Sequence, residues 1–100
     1  MGLPISRLAD KDVIHDCQVP LRAQCTKTVI AVGRPCSLLS HKNTMHIING
    51  DKPCTVPHIG VISNASKTVI TEGKPTGRIA DNVTCGIVVA TGGNNVLIGG

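Results

Sequence analysis

Thr68–Ile87 reads TVITEGKPTGRIADNVTCGI, and 40 residues earlier Thr28–Ile47 reads TVIAVGRPCSLLSHKNTMHI. The two stretches share Thr-Val-Ile, Gly-x-Pro, Thr and Ile in register, without a gap. Pieces of the same unit stand at both ends of the chain. Arg7-Leu8-Ala9-Asp10 matches Arg78-Ile79-Ala80-Asp81, and Asn95–Gly100 resembles Thr68–Gly73. The order is therefore back half, whole unit, whole unit, front half. Such a period marks one supersecondary unit used several times.

The unit predicts a β-hairpin. Thr-Val-Ile-Thr-Glu is β-branched and alternates faces. Gly73 permits a tight turn, and the chain is expected to return through Thr76 to Val83. Pro75 removes a backbone donor, which suits an unpaired or outward edge. Gly33 and Pro35 repeat the pattern in a first hairpin spanning Cys25–His41. Asn49-Gly50-Asp51-Lys52-Pro53 is a strong turn, with a short strand at Ile47-Ile48 before it. Gly86–Thr91 reads as an apolar strand that Gly92-Gly93-Asn94 turns back into Asn95–Ile98.

Length and composition bound the rest. One hundred residues, taken as 1–100, make one domain. Phe, Tyr and Trp are absent and there are 11 Gly. Aromatics bury about 150–250 Å² each, so this core is thin. No stretch has a 3.6 period, and the fold class is all-β. A small domain of this kind needs a staple: disulfides, a metal or a partner. The five cysteines are odd in number, no leader or membrane span is evident, and reduced thiols in a cytosolic chain are the default expectation. Metal ligation then becomes the leading staple.

Charge excludes little. The net +4 comes from Lys and Arg scattered without a basic run, and no aromatic is present to stack a base. A solvated basic surface is expected and no nucleic-acid partner. A small zinc-dependent nucleic-acid-binding or interaction module is the alternative. Enzymatic motifs are missing: no G-x-S-x-G, phosphate loop or H-E-x-x-H. A cysteine hydrolase would need an activated thiol in a cleft, and none is legible.

Four candidate metal ligands lie in polar or turn-rich segments: His15, His46, His58 and Cys85. His46 and Cys85 occupy neighbouring positions at the same end of the two units. His15 and Cys17 lie at the matching end of the first partial unit, and His58 comes from the loop between the units. Equivalent ends of related units should converge, and zinc takes four such ligands in a closed tetrahedral site. Cys17 competes with His15 for one place, and Cys54 with His58. Cys36 is expected to be a small buried residue, and His41 a turn residue at the unit's Asp position. A disulfide among Cys17, Cys25, Cys36 and Cys54 is the competing staple.

Cys85–Gly100, CGIVVATGGNNVLIGG, resembles the C-terminal signature of PAAR-repeat proteins. Gly73–Asp81, Pro57-His58-Ile59-Gly60 and Ile5–Asp10 fit the same family, so the resemblance spans the chain. The chain has Pro75-Thr76-Gly77-Arg78 and Pro35-Cys36-Ser37-Leu38 where the family reads Pro-Ala-Ala-Arg. The resemblance implies a small cone of pseudo-three-fold β-hairpins with a metal near the vertex. The metal it implies is zinc, with iron the other choice, held by His15, His46, His58 and Cys85. The implied role is structural, not enzymatic. A monomeric cap, one per trimer, would sharpen the end of a trimeric β-helical spike. Such spikes belong to type VI secretion systems and contractile phage tails. The cap would be made in the cytoplasm and would meet a target membrane only in passing. With no effector extension legible, a bare tip is expected.

Overall fold

The computed structural model describes residues 2–100. It is all-β, and among the described residues there is no helix. The strands are β1 Leu3–Ile5, β2 Ile30–Ala31, β3 Arg34–Pro35, β4 His46–Ile48, β5 Val56–His58, β6 Ile70–Thr71, β7 Lys74–Pro75, β8 Asn82–Val83, β9 Ile87–Val88 and β10 Gly93–Ile98. They form five two-stranded antiparallel sheets: β1 with β10, β2 with β3, β4 with β5, β6 with β7 and β8 with β9.

The repeated unit does make a hairpin, but a shorter one than expected. Val32 and Gly33 have φ of 50° and 79°, and Glu72 and Gly73 have 48° and 81°. Two left-handed residues in succession form the kind of turn whose twist matches paired strands. Ile30 opposes Pro35, and Ile70 opposes Pro75. The return run from Thr76 to Val83 does not stay beside β6. It pairs with other units, through Leu38↔Thr76, Ile5↔Arg78 and Ile62↔Val83. Only Thr76 N still bonds back, to Val69 O at 3.0 Å, while the Pro75 carbonyl accepts from Leu39 N at 2.9 Å.

A second correction concerns the C-terminal strand. Gly92-Gly93-Asn94 does not fold β10 back onto β9. The last strand pairs with the first instead, Leu3 against Ile98 and Pro4 against Leu97. This is the register of Lys74↔Thr71 and Pro75↔Ile70. The front half and the back half of the unit thus complete one another as a third two-stranded pair, equivalent to the two hairpins but without a connecting turn. Gly92 makes room for this: a Cβ there would lie 2.5 Å from the Ile5 carbonyl oxygen.

Three matching segments, one after each hairpin, bond to one another in a closed ring. Ser6 N donates to Gly77 O, Gly77 N to Ser37 O, and Ser37 N to Ser6 O, at 2.9, 3.0 and 2.9 Å. The next layer repeats the cycle, with Leu8, Leu39 and Ile79 amides donating to Pro35, Pro75 and Pro4 carbonyls. Each segment then turns through a left-handed residue, Ala9, Ser40 or Ala80, at φ of 64°, 69° and 72°. An acceptor side chain holds each turn. Asp10 and Asp81 accept from Arg7 N and Arg78 N at 2.8 and 2.7 Å, and His41 Nδ1 accepts from Leu38 N at 3.1 Å.

His41 is therefore a working substitute for the unit's aspartate. It must be neutral at Nδ1 to accept. Burial, with Lys74 and Arg22 nearby, holds it below the ordinary imidazole value. A group held low in the fold contributes stability above its ordinary value and loses it as pH falls through the lowered one. His41→Asn, which accepts through its amide oxygen, is expected to lose less stability than the native protein between pH 7 and pH 5. The gap should be at most about 2 kcal/mol, the limit for one imidazole that protonates over that range only in the unfolded chain. Chemical unfolding across that range measures it. The other histidines are common to both proteins, so the difference isolates His41.

Side chains close the seams between hairpins. Arg7 forks onto Asp10 and donates Nη1 to Val32 O at 2.9 Å, and Arg78 forks onto Asp81 and donates to Gly99 O at 3.2 Å. Leu38 replaces arginine at the third position. There the seam is held by Thr28, whose hydroxyl and amide both donate to Glu72 Oε2. The basic surface expected from the sequence is thus depleted. Arg7 and Arg78 are tied into forks, and Arg22 is only 1 % exposed.

Two apolar clusters line the molecule, which measures 41 × 24 × 23 Å. Ile5, Ala31, Cys36, Leu38 and Ile98 form the one nearer the hairpins, with Cys36 fully buried as expected. Ile62, Ala65, Val83, Ile87 and Val89 form the other. A buried polar knot adjoins the second. Arg22 Nη2 lies 2.6 Å from Asp12 Oδ2, which also accepts from Asn43 Nδ2 at 3.0 Å.

Candidate metal centre

Past these clusters the three segments end in short arms of unequal length. The first arm is the tight turn His15–Gln18, closed by His15 N donating to Gln18 O at 2.9 Å. The second is β4 and β5, in which His46 and His58 stand directly opposite each other. The third is the Thr84-Cys85-Gly86 turn between β8 and β9, with Gly86 at φ 84°. Equal segments thus deliver unlike residues to one place, which is how a near-repeat builds a mixed ligand set.

His15, His46, His58 and Cys85 offer one ligand atom each, and these atoms all lie within 4.8 Å of one another. The imidazole centroids form a nearly equilateral triangle, with sides of 5.2, 5.2 and 5.1 Å. His15 Nδ1 is 3.0 Å from His46 Nε2. In a tetrahedral zinc site with bonds of about 2.0–2.1 Å to nitrogen, neighbouring nitrogens stand roughly 3.3 Å apart. The spacing fits with a shift of a few tenths of an ångström.

The polar bookkeeping fits as well. His46 Nδ1 donates to Thr44 O at 2.8 Å, which fixes the tautomer and leaves the Nε2 lone pair facing the cluster. His58 Nε2 is buried and has no hydrogen-bond partner. An orphan of this kind costs about 1–3 kcal/mol, and a metal bond removes the cost. Burial first, then His46 and His15, holds His58 below the ordinary imidazole value, so it is neutral and ready to ligate. Gly60 brings the chain after β5 against Cys85: a Cβ there would sit 3.0 Å from Sγ and 2.8 Å from Val83 Cγ1. The Cys85 thiol is pushed up mainly by burial; a dication beside it reverses that by binding the thiolate.

All four ligands expected from the sequence are therefore brought together. The competition between His15 and Cys17, and between His58 and Cys54, is resolved by a bond the default reading did not favour. Cys17 and Cys54 form a disulfide, correcting the expectation of reduced thiols. Cys25, Cys36 and Cys85 are free. Burial pushes Cys25 up to about 11 and raises Cys36 as well, so neither is an activated thiol.

Sequence reasoning missed the support beneath the ligands. Asn43 Oδ1 accepts from Gly60 N at 2.7 Å, anchoring the chain that carries His58. Asn43 is itself held by Asp12, and Asp12 by Arg22. Asp12 and Asn43 fall at matching positions of the repeat, five residues after Arg7 and Leu38. Extending that register past Asp10 would have placed them together. The chain matches no family model, and no curated protein matches it.

Proposed function

We propose that this protein is a PAAR-type tip: a cone of pseudo-three-fold hairpins, closed near its vertex by zinc, that caps a trimeric β-helical spike. Support comes first from the hairpin end. Ile30, Ile70 and Leu97 stand at matching register positions on β2, β6 and β10, and they are 58, 56 and 58 % exposed. Three equal apolar residues on one chain, left in water, suit a three-fold partner. The edges of two-stranded hairpins can continue the partner's sheets. The closed ring of Ser6, Ser37 and Gly77 amides supports the same symmetry. The carrying observation is this three-way equivalence at the hairpins combined with a single mixed ligand set at the other end.

The donor set of three imidazoles and one thiolate suits zinc, and iron fits the same atoms. Bound there, the ion would cross-link the three arms where no aromatic core exists to hold them. The role proposed is mechanical: a rigid point on a phage tail or type VI secretion spike. It rests on the sequence resemblance together with this geometry.

The test is stoichiometry. Mixed with a matched spike, the cap is expected to elute as a complex of one cap per three spike chains by light scattering. No complex, or a three-to-three complex, would overturn the proposal. Ile30→Glu with Ile70→Glu is expected to weaken the complex at least tenfold, as charges set into an apolar interface centre do. Both residues are exposed, so the variant should retain the native fold.

A further inference from the structure

We propose that the Cys17–Cys54 disulfide is a redox clamp on the metal site, so that oxidation tightens zinc binding and reduction loosens it. The proposal rests on the metal reading above. Cys17 lies inside the four-residue turn that presents His15. Cys54 lies in the loop that joins β4 to β5, and so ties the two strands presenting His46 and His58. One covalent bond therefore joins the carriers of three of the four ligands.

Beyond the stems, where Thr44 N donates to Leu21 O at 2.7 Å and Leu21 N to Thr44 Oγ1 at 3.1 Å, little else joins those carriers. Asn49 N donates to Asp16 Oδ2 at 2.9 Å and Ile47 N to Gln18 Oε1 at 2.7 Å, and both bonds are exposed. Water competes for such bonds, and they hold a loop weakly. Cys85 needs no clamp, because its turn is set between buried Val83 and Ile87. Without the disulfide, His15 must be brought to the other ligands at an entropic cost that zinc itself would meet. With the disulfide, that cost is met before zinc arrives, which is the gain from preorganisation.

The chemistry is ordinary thiol–disulfide exchange. The Cys17 and Cys54 thiols react with an oxidised disulfide, either glutathione disulfide or a protein oxidant. The Cys17 Sγ–Cys54 Sγ bond forms and the partner's S–S bond breaks. Two electrons and two protons end on the partner's sulfurs. Cys54 is exposed, so the bond is open to exchange. In a reducing compartment the site is loose, and it tightens on passage to an oxidising one.

Linkage gives two independent readouts. If oxidation tightens zinc binding by some factor, zinc must stabilise the disulfide by the same factor. A tenfold effect corresponds to about 30 mV in the two-electron midpoint potential. The experiment measures zinc affinity by chelator competition in the oxidised protein and after reduction with a phosphine. It also measures the disulfide midpoint in glutathione buffers, with and without zinc. Reduction is expected to weaken zinc at least tenfold, and zinc to lower the midpoint by about 30 mV or more. Cys17→Ser with Cys54→Ser should match the reduced native protein under both conditions. Equal zinc affinity in the two redox states overturns the clamp while leaving the metal site standing. So does a double variant that binds zinc as tightly as the oxidised protein. Failure of the oxidised protein to bind zinc at all overturns both.

Discussion

Asp12→Ala is expected to destabilise the protein by about 3–5 kcal/mol, the usual cost of breaking a buried ion pair from one side. Asp12 and Arg22 are each 1 % exposed, and their side chains meet at 2.6 Å with no access to water. Burial pushes the Asp12 carboxyl up from its ordinary range, and Arg22 and Asn43 pull it back. With Asp12 gone, the guanidinium keeps one acceptor, His41 O at 3.2 Å. The Asn43 amide loses its own acceptor too, and with it the grip on Gly60. A domain of this size is stable by only about 5–15 kcal/mol, so the loss is a large share of the whole. Asp12→Leu with Arg22→Met should recover most of it, because two apolar side chains leave no charge unpaired. Urea unfolding at pH 7 reads both results. A loss below about 1 kcal/mol for Asp12→Ala would place the pair among those of surface worth.

Removing the metal is expected to have the other large effect. At free zinc about a thousandfold above the dissociation constant, binding adds roughly 4 kcal/mol of stability. Each kcal/mol moves the midpoint of a domain this small by about 4–8 °C. Chelation should therefore lower the thermal midpoint by about 15–30 °C. Cys85→Ser and His46→Ala should show the low midpoint whether or not zinc is added. Cys36→Ser should keep the zinc response, since Cys36 lies in the other apolar cluster. A native midpoint indifferent to chelator would mean that the clustered side chains are held by packing alone.

The hairpins were legible because the repeat carries them, and the repeat also put His15, His46 and Cys85 at equivalent ends. His58, in the loop between the units, was legible only as a histidine in a turn-rich segment. Thr-Val-Ile, Gly and Pro recur in register, and turn chemistry of that kind is local. The path after each proline was not legible. Thr76–Val83 looks like a return strand, yet its partners come from segments about 20, 40 and 70 residues earlier. Nothing local distinguishes a ladder to one's own hairpin from a ring through three units. The pairing of β1 with β10 was implicit in the two half units, but Gly92-Gly93 gave a competing turn signal. Arg22 was counted among solvated charges because it lies outside the repeated motif, and nothing local marks Asp12 as its buried partner. A disulfide among four of the cysteines was legible as the competing staple, but not which two form it, since spacing does not fix pairing.

The claim that His15, His46, His58 and Cys85 hold one ion is tested most directly by X-ray absorption on the zinc-loaded, oxidised protein. The account predicts one zinc per chain with three nitrogen neighbours at about 2.0–2.1 Å and one sulfur at about 2.3 Å. It predicts that Cys85→Ser abolishes the sulfur shell. A zinc content below half an equivalent, two or more sulfur neighbours, or a sulfur shell that survives Cys85→Ser would contradict it.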